Sequence, residues 1–354
     1  MRSSKFGVIV FILLVVLGGT SCSYYSRVMA RKNLVDGSKA YKDRKFPEAE
    51  QQFRLAAQRD PNGETLEGRT AQLFLARTLH SEYIGNRQDQ AKAQAAIEAY
   101  KQALPAALRE YTDARGAYEK APMDVPSQRR YASALSDAVT TLGAVSGLYD
   151  NIQQPDQAVA WRNQVANDAK NPETARAAAY NSMAAKSNTC ANDITDTEAT
   201  KKQVTENGKD VFHYVKPANA GDLDNLKKCI QEGMDAADKA IALEPQMIKN
   251  AAKSFDVKGA TDEQLRLYQE MVKPFESSRS YKAAMTIQSM RLAEMEGRKD
   301  DAERLKNESE QLRQSYNELG DLDKKIQQEM DDRAAAKEAA AQNAKSNSNA
   351  NSSK

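Results

Sequence analysis

The sequence predicts an all-α protein in which helical hairpins follow one another along the chain. Alanine, glutamine, lysine, glutamate and arginine dominate its middle part, and all of these residues have high helix propensity. Residues that favour strands seldom alternate with polar ones, apart from a possible short β-hairpin near Val211–Val215. Apolar stripes at helical spacing recur in pairs, separated by prolines and glycines that favour helix ends.

The charge and the motifs argue against several function classes. A formal net charge of +2 over 354 residues produces no field strong enough to attract nucleic acid. The sequence contains no HExxH or CxxC metal motif, no GxxxxGK[ST] phosphate-binding loop and no GxGxxG dinucleotide motif. His80 and His213 are the only histidines, and we expect a structural or solvent-exposed role for each. We therefore predict no enzyme activity, no cofactor, no metal and no small-molecule substrate.

The first predicted hairpin, at 33–62, has small and bulky residues at fixed spacing. They are Gly37, Ala40, Phe46, Ala49, Phe53, Ala56 and Pro61. The small residues allow two helices to approach closely, and the phenylalanines fill the space between them. This pattern, in the segment FPEAEQQFRLAAQRDP, resembles the second half of a tetratricopeptide repeat (TPR), whose period is about 34 residues. The resemblance implies a solenoid of stacked hairpins with a concave, protein-binding face.

The resemblance extends with less detail along the chain. It predicts repeats one to three at 33–172 and repeats four and five at 173–333, where EGMDAADKAIALEP is again TPR-like. A large insertion near 192–222 separates the two helices of repeat four. Apolar residues seven apart near the end leave a coiled-coil spacer as an alternative; they are Leu305, Leu312, Leu319 and Ile326. The tail at 334–354 has no apolar face, which predicts disorder.

The amino terminus has the features of a targeting segment. Arg2 and Lys5 precede an apolar run at 6–17, and small residues lead to Cys22. This arrangement resembles a bacterial lipoprotein signal, which implies that 1–22 is the signal, that Cys22 is acylated and that 23–32 is a linker. An uncleaved transmembrane anchor is the alternative, because no charge occurs between Lys5 and Arg27. Both readings predict a membrane-anchored protein of the bacterial cell envelope that faces the periplasm.

The other two cysteines, Cys190 and Cys229, fall in repeat four. Aligned with a TPR hairpin, they lie at neighbouring ends of its two helices, on either side of the insertion. An exported chain meets an oxidising compartment, so we predict a disulfide between them. Two buried thiols are the alternative.

First helices line the concave face of a TPR array, and this places the predicted protein-binding groove. Its predicted residues are Leu34, Ser38, Tyr41 and Lys42 in repeat one, Leu73, Arg77 and His80 in repeat two, and Asn181 and Asn188 in repeat four. TPRs that bind a carboxyl-terminal peptide carry Lys and Asn where this chain has Leu34 and Ser38. The groove therefore suits an extended or helical protein segment better.

These features together predict a membrane-tethered TPR scaffold or adaptor for assembly or secretion complexes of the envelope. Its partners would be other proteins, bound through the concave face, and the membrane, contacted by the amino-terminal segment. Two alternatives stay open. One is a structural coiled-coil spacer, and the other is an enzyme with its site in the insertion at 196–220.

Overall fold

The structure, a computed structural model, describes residues 24–206 and 208–351, with side chains as far as 342. The described chain is almost entirely helical, which confirms the all-α prediction. It forms two compact units. Of the described residues, unit 1 contains those up to Asp113 and Thr140–Trp161, and unit 2 contains Ala114–Val139 and those from Arg162 onward. Three helices thus contribute residues to both units.

The elements follow one another with short connections, except around the only sheet in the described residues. The helices are α1 (24–42), α2 (Phe46–Gln58), α3 (Leu66–Gly85), α4 (Gln90–Lys120), α5 (Val125–Asn151), α6 (Pro155–Asn167), α7 (Glu173–Thr195), α8 (Ala220–Ala242), α9 (Gln246–Lys249), α10 (Ala251–Ser254), α11 (Asp262–Met295) and α12 (Lys299–Asn351). The strands are β1 (Lys201–Glu206) and β2 (Lys209–Tyr214).

The first hairpin of unit 1 is formed by α1 and α2. Ala49, Phe53 and Ala56 on α2 are fully buried. Gly37 of α1 faces the Phe53 ring so closely that a Cβ atom there would lie 2.8 Å from two ring carbons. The expected close approach at small residues is therefore present, and it depends on the absence of a side chain at Gly37.

The later helices of unit 1 pack in sequence order. The Phe53 ring of α2 lies 5.4 Å from the Phe74 ring of α3, measured between centroids. The Lys101 ammonium of α4 donates a hydrogen bond to the Tyr149 hydroxyl of α5 at 2.7 Å. Trp161 of α6 donates its indole N–H to the Leu142 carbonyl of α5 at 2.9 Å. Polar side chains of α4 and α6 thus find hydrogen-bond partners on α5, as packing of polar groups between helices requires.

In unit 2, α7, α8 and α11 pack around one apolar cluster. Leu226, Ile230 and Met285 belong to it and are buried. Gly233 of α8 makes a second close approach, because a Cβ atom there would lie 2.6 Å from the Met285 methyl carbon. The turn between α11 and α12 uses Gly297 at φ +75°, a conformation that glycine adopts without steric cost.

The last helix differs from the sequence prediction at its end. Residues from 334 were expected to be disordered, whereas α12 continues as helix to Asn351. Side chains at 334–342 are exposed, and Lys337 among them forms an ion pair with Asp262 of α11. Alanine, lysine, glutamate and glutamine have high helix propensity, and a helix elongates easily from a turn that is already formed.

Replacing Gly37 should reveal how much unit 1 depends on the α1–α2 approach. Gly37→Val is expected to lower the free energy of unfolding by about 2 kcal/mol, because the buried Phe53 ring has no room to move. Gly143→Val on α5 is the matched control, since a Cβ atom there meets nothing within 4 Å. Urea denaturation followed by circular dichroism measures both; equal effects would contradict the packing argument.

Candidate functional site

The predicted groove residues of α1 form one stripe. Leu34, Ser38 and Tyr41 follow each other at intervals of four and three residues, so they share a helix face, and each is half-buried. The Ser38 hydroxyl donates a hydrogen bond to the Leu34 carbonyl at 2.7 Å, which satisfies it within the helix. Lys42 is exposed at the edge of this stripe.

Tyr41 joins this stripe to α3. Its hydroxyl lies 3.2 Å from the Ser81 hydroxyl. Its ring meets the Phe74 ring edge to face, with centroids 5.8 Å apart. The Arg77 guanidinium lies over the Phe74 ring, 5.4 Å from its centroid. A cation at that distance from a ring is attracted by the negative face of the π system.

His80 lies beside Arg77 and turns toward α4. Its Nδ1 is 3.3 Å from the Tyr100 hydroxyl, and the two rings meet edge to face. Burial lowers the pKa of His80 below its ordinary value, so the imidazole is neutral at neutral pH. Burial raises the pKa of Tyr100 to about 12, so the phenol keeps its proton. Neither group is poised for acid–base chemistry near neutral pH.

We call this surface the Arg77 face. It consists of Leu34, Ser38, Tyr41 and Lys42 of α1 and of Phe74, Arg77 and His80 of α3. It combines half-buried aromatic rings with positive charge from Arg77 and Lys42. Aromatic residues and arginine are the side chains that most often dominate binding energy at protein interfaces.

One groove residue was placed on the wrong side of α3. Leu73 was predicted to line the groove, but it is only 6% exposed and belongs to the core of unit 1. Its neighbour Phe74 takes the predicted place. The spacing of apolar residues along α3 locates its buried face only to within one residue. Leu73 and Phe74 are adjacent and both apolar, so the sequence does not show which of the two is buried.

The two predicted groove residues of α7, Asn181 and Asn188, also have a different environment from the one predicted. The Asn181 amide donates a hydrogen bond to the Pro274 carbonyl at 2.7 Å, and Asn181 is only 5% exposed. Asn188 accepts a hydrogen bond from the Gln288 amide at 3.2 Å. Both partners belong to α11, which covers this face of α7. Asn181 and Asn188 therefore hold unit 2 together and do not form part of the Arg77 face.

The insertion after α7 is a β-hairpin with a covalent base. Strands β1 and β2 pair antiparallel, from Lys201 opposite Tyr214 to Glu206 opposite Lys209. The predicted disulfide between Cys190 and Cys229 is present, with the two Cα atoms 6.1 Å apart. It links the last part of α7 to the first half of α8, the two helices that flank the insertion.

His213 fastens the hairpin to the helices of unit 2. Its Nε2 lies 2.9 Å from Glu206 on β1, and its Nδ1 lies 2.6 Å from Glu294 on α11. Hydrogen bonds to Glu206 and Glu294 raise the pKa of His213 above its ordinary value of 6.5. Nothing in the local sequence indicated this role, because Glu294 is 81 positions away.

The described residues offer no cluster of three or more His, Cys, Asp or Glu side chains that could hold a metal ion. In the same part of the chain, no helix is both long and apolar enough to cross a bilayer. The predicted lipidation residue Cys22 and the rest of the targeting segment at 1–22 lie outside the described residues.

No protein-family model matches this sequence, and a search of curated proteins gives no significant match.

The His213 contacts lead to a pH-dependent stability with a defined sign. The pKa of His213 is raised on folding. Its stabilising contribution to the folded protein is therefore fully present below pH 6.5 and is lost as the pH rises through the folded-state pKa. Melting temperatures of the wild type and His213→Gln should therefore differ most at acidic pH and converge at alkaline pH. His80→Gln is the control of opposite sign, because the pKa of His80 is lowered. A His213→Gln difference that stays constant with pH would refute the role of its charge.

Proposed function

We propose that this protein is a scaffold or adaptor that binds other polypeptides through the Arg77 face of a TPR-like array. The observation that carries the proposal is the pairing of α1 with α3 through Tyr41 and Phe74, which leaves half-exposed rings beside Arg77. In TPR arrays the first helices of successive repeats present such a surface. In the proposed array, α1 and α3 would be those first helices.

The chemistry of the Arg77 face favours a particular kind of partner segment. Arg77 and Lys42 supply positive charge, and the rings of Tyr41 and Phe74 supply apolar contact area. His80 and Tyr100 beside Arg77 stay uncharged near neutral pH. A helical or extended segment with an apolar anchor flanked by acidic side chains complements these groups.

The proposed location is the bacterial cell envelope, with the body of the protein facing the periplasm. Two features of the chain support it. The segment from Arg2 to Cys22 has the order of charge, apolar run and small residues of a lipoprotein-type signal. The disulfide between Cys190 and Cys229 is of the kind that persists in oxidising compartments.

A coiled-coil spacer is less consistent with the packing of α12. Leu319, Leu322 and Ile326 are buried within the chain itself, where α12 packs beside α11. Apolar residues that already serve an intrachain contact do not supply a seam for a second chain. An enzyme site in the insertion is also less consistent, since His213 is engaged by two carboxylates that fasten the hairpin.

Site-specific photocrosslinking in cells tests the binding role. A photoreactive amino acid at Lys42, beside the Arg77 face, is expected to trap a partner protein. The same substitution at Asp36, an exposed residue on another side of α1, is expected to trap little. Arg77→Ala should weaken capture about tenfold, as removal of an interface arginine typically does, whereas the exposed Arg59→Ala should not. Equal yields from Lys42 and Asp36 would refute binding at this face.

The anchor is tested separately by fatty-acid labelling. Wild-type protein should incorporate labelled fatty acid and partition with membranes, and Cys22→Ala should lose the label. Ser23→Ala is the matched control, because it leaves the cysteine in place. An unlabelled wild-type protein that stays in the membrane would instead indicate the transmembrane anchor.

A further inference from the structure

Unit 2 contains a cavity of about 340 Å³ that none of the preceding roles uses. It lies where the end of α4, the first half of α5 and the start of α7 meet the segment after α8 and the first third of α11. All of its lining residues belong to unit 2. Its volume falls at the lower end of the range of small-molecule sites, which is about 300–1,000 Å³.

The walls of the cavity are mainly aromatic and aliphatic. The rings of Tyr118 and Tyr131 stack with their centroids 5.0 Å apart. Leu135, Met247 and Met271 complete the apolar lining. Burial raises the pKa of Tyr118, so its phenol remains uncharged. Methionine adapts its shape to irregular contents, which suits a site for a compact apolar body.

One polar group in the wall lacks an internal partner. Thr174 lines the cavity and is only 2% exposed, and its buried hydroxyl has no hydrogen-bond partner among the described residues. Thr174 lies in the first turn of α7, which begins after Pro172 without a side-chain cap. The first N–H groups of a helix have no partner within it. Hydrogen-bond donors are therefore concentrated at this end of the cavity.

The charged residues beside the cavity disfavour an anion. Arg115 donates to Glu173 at 2.7 Å and to Glu119 at 2.8 Å. The guanidinium is thus shared between two carboxylates. A ligand carboxylate or phosphate would have to compete with Glu119 and Glu173 for this guanidinium.

We propose that this cavity binds a small neutral amphiphile: a compact aromatic or aliphatic body with one hydroxyl or carbonyl oxygen. The body packs between the Tyr118–Tyr131 stack and the methionines. The oxygen accepts a hydrogen bond at the start of α7 and satisfies Thr174. This binding site is independent of the Arg77 face, and its ligand differs in class from a protein partner.

The test compares three probes of nearly equal size in ligand-observed NMR titrations of the full chain. Benzyl alcohol carries the neutral oxygen, toluene lacks it, and benzoate carries a negative charge. The expected order of affinity is benzyl alcohol, then toluene, then benzoate. Thr174→Val keeps the shape of the side chain but removes the hydroxyl, so it should weaken benzyl alcohol about tenfold and leave toluene unchanged. It should also raise the melting temperature of the ligand-free protein, because an unpaired buried hydroxyl is removed.

Two further variants keep the test decisive. Thr189 lies on the same helix as Thr174, but it is exposed and its hydroxyl already donates a hydrogen bond to the Ala185 carbonyl. The control substitution Thr189→Val should therefore leave the affinity for all three probes unchanged. Met247→Trp should fill the cavity and abolish binding of every probe. The proposal is overturned if benzyl alcohol shows no saturable binding, if benzoate binds most tightly, or if Thr174→Val weakens toluene and benzyl alcohol equally.

Discussion

The close approach of helices at glycine is the constraint on which both units depend. In unit 1, Gly37 lets α1 approach the Phe53 ring, and in unit 2, Gly233 lets α8 approach Met285. A single Cβ atom at either position would overlap the facing side chain. Since interiors are packed as densely as organic crystals, such a contact sets the spacing of the whole hairpin. The remaining helices are then placed against a pair whose geometry is already fixed.

The Arg77 face is a consequence of that spacing. With α2 held against α1 at Gly37, the Phe53 ring reaches Phe74 of α3, and α3 in turn places Phe74 beside Tyr41. Two helices that are not adjacent in sequence thereby present one surface. The equivalent face of α7 has a different fate because α11 covers it, and its asparagines serve as internal hydrogen-bond partners. The same predicted type of helix position is thus half-buried in one unit and covered by another helix in the other.

The β-hairpin and the cavity show how unit 2 accommodates features that the repeat pattern does not provide. The hairpin is fixed covalently by Cys190–Cys229 and electrostatically by His213, which reaches Glu294 across 81 positions of sequence. Tyr214 at its end is buried in the same cluster as Met285. The cavity forms at the opposite end of α7, where large tyrosine and methionine side chains meet without filling the space.

The sequence by itself determined the helical class and the first hairpin with its close contact, and it predicted the pairing of Cys190 with Cys229 with two buried thiols as the alternative. The first two depend on residues that are near in sequence, and the pairing was predicted from a resemblance to a repeat in which these helix ends meet. Only the tertiary structure decided that Phe74 and not Leu73 faces outward, that Asn181 is covered, and that His213 joins Glu294. The physical reason is that periodicity reveals which face of a helix is apolar, whereas the element that covers a face depends on packing between distant segments. In the helix past 334 the side chains are exposed as far as 342, so its helical form agrees with local propensity, supported by the ion pair between Lys337 and Asp262 of α11.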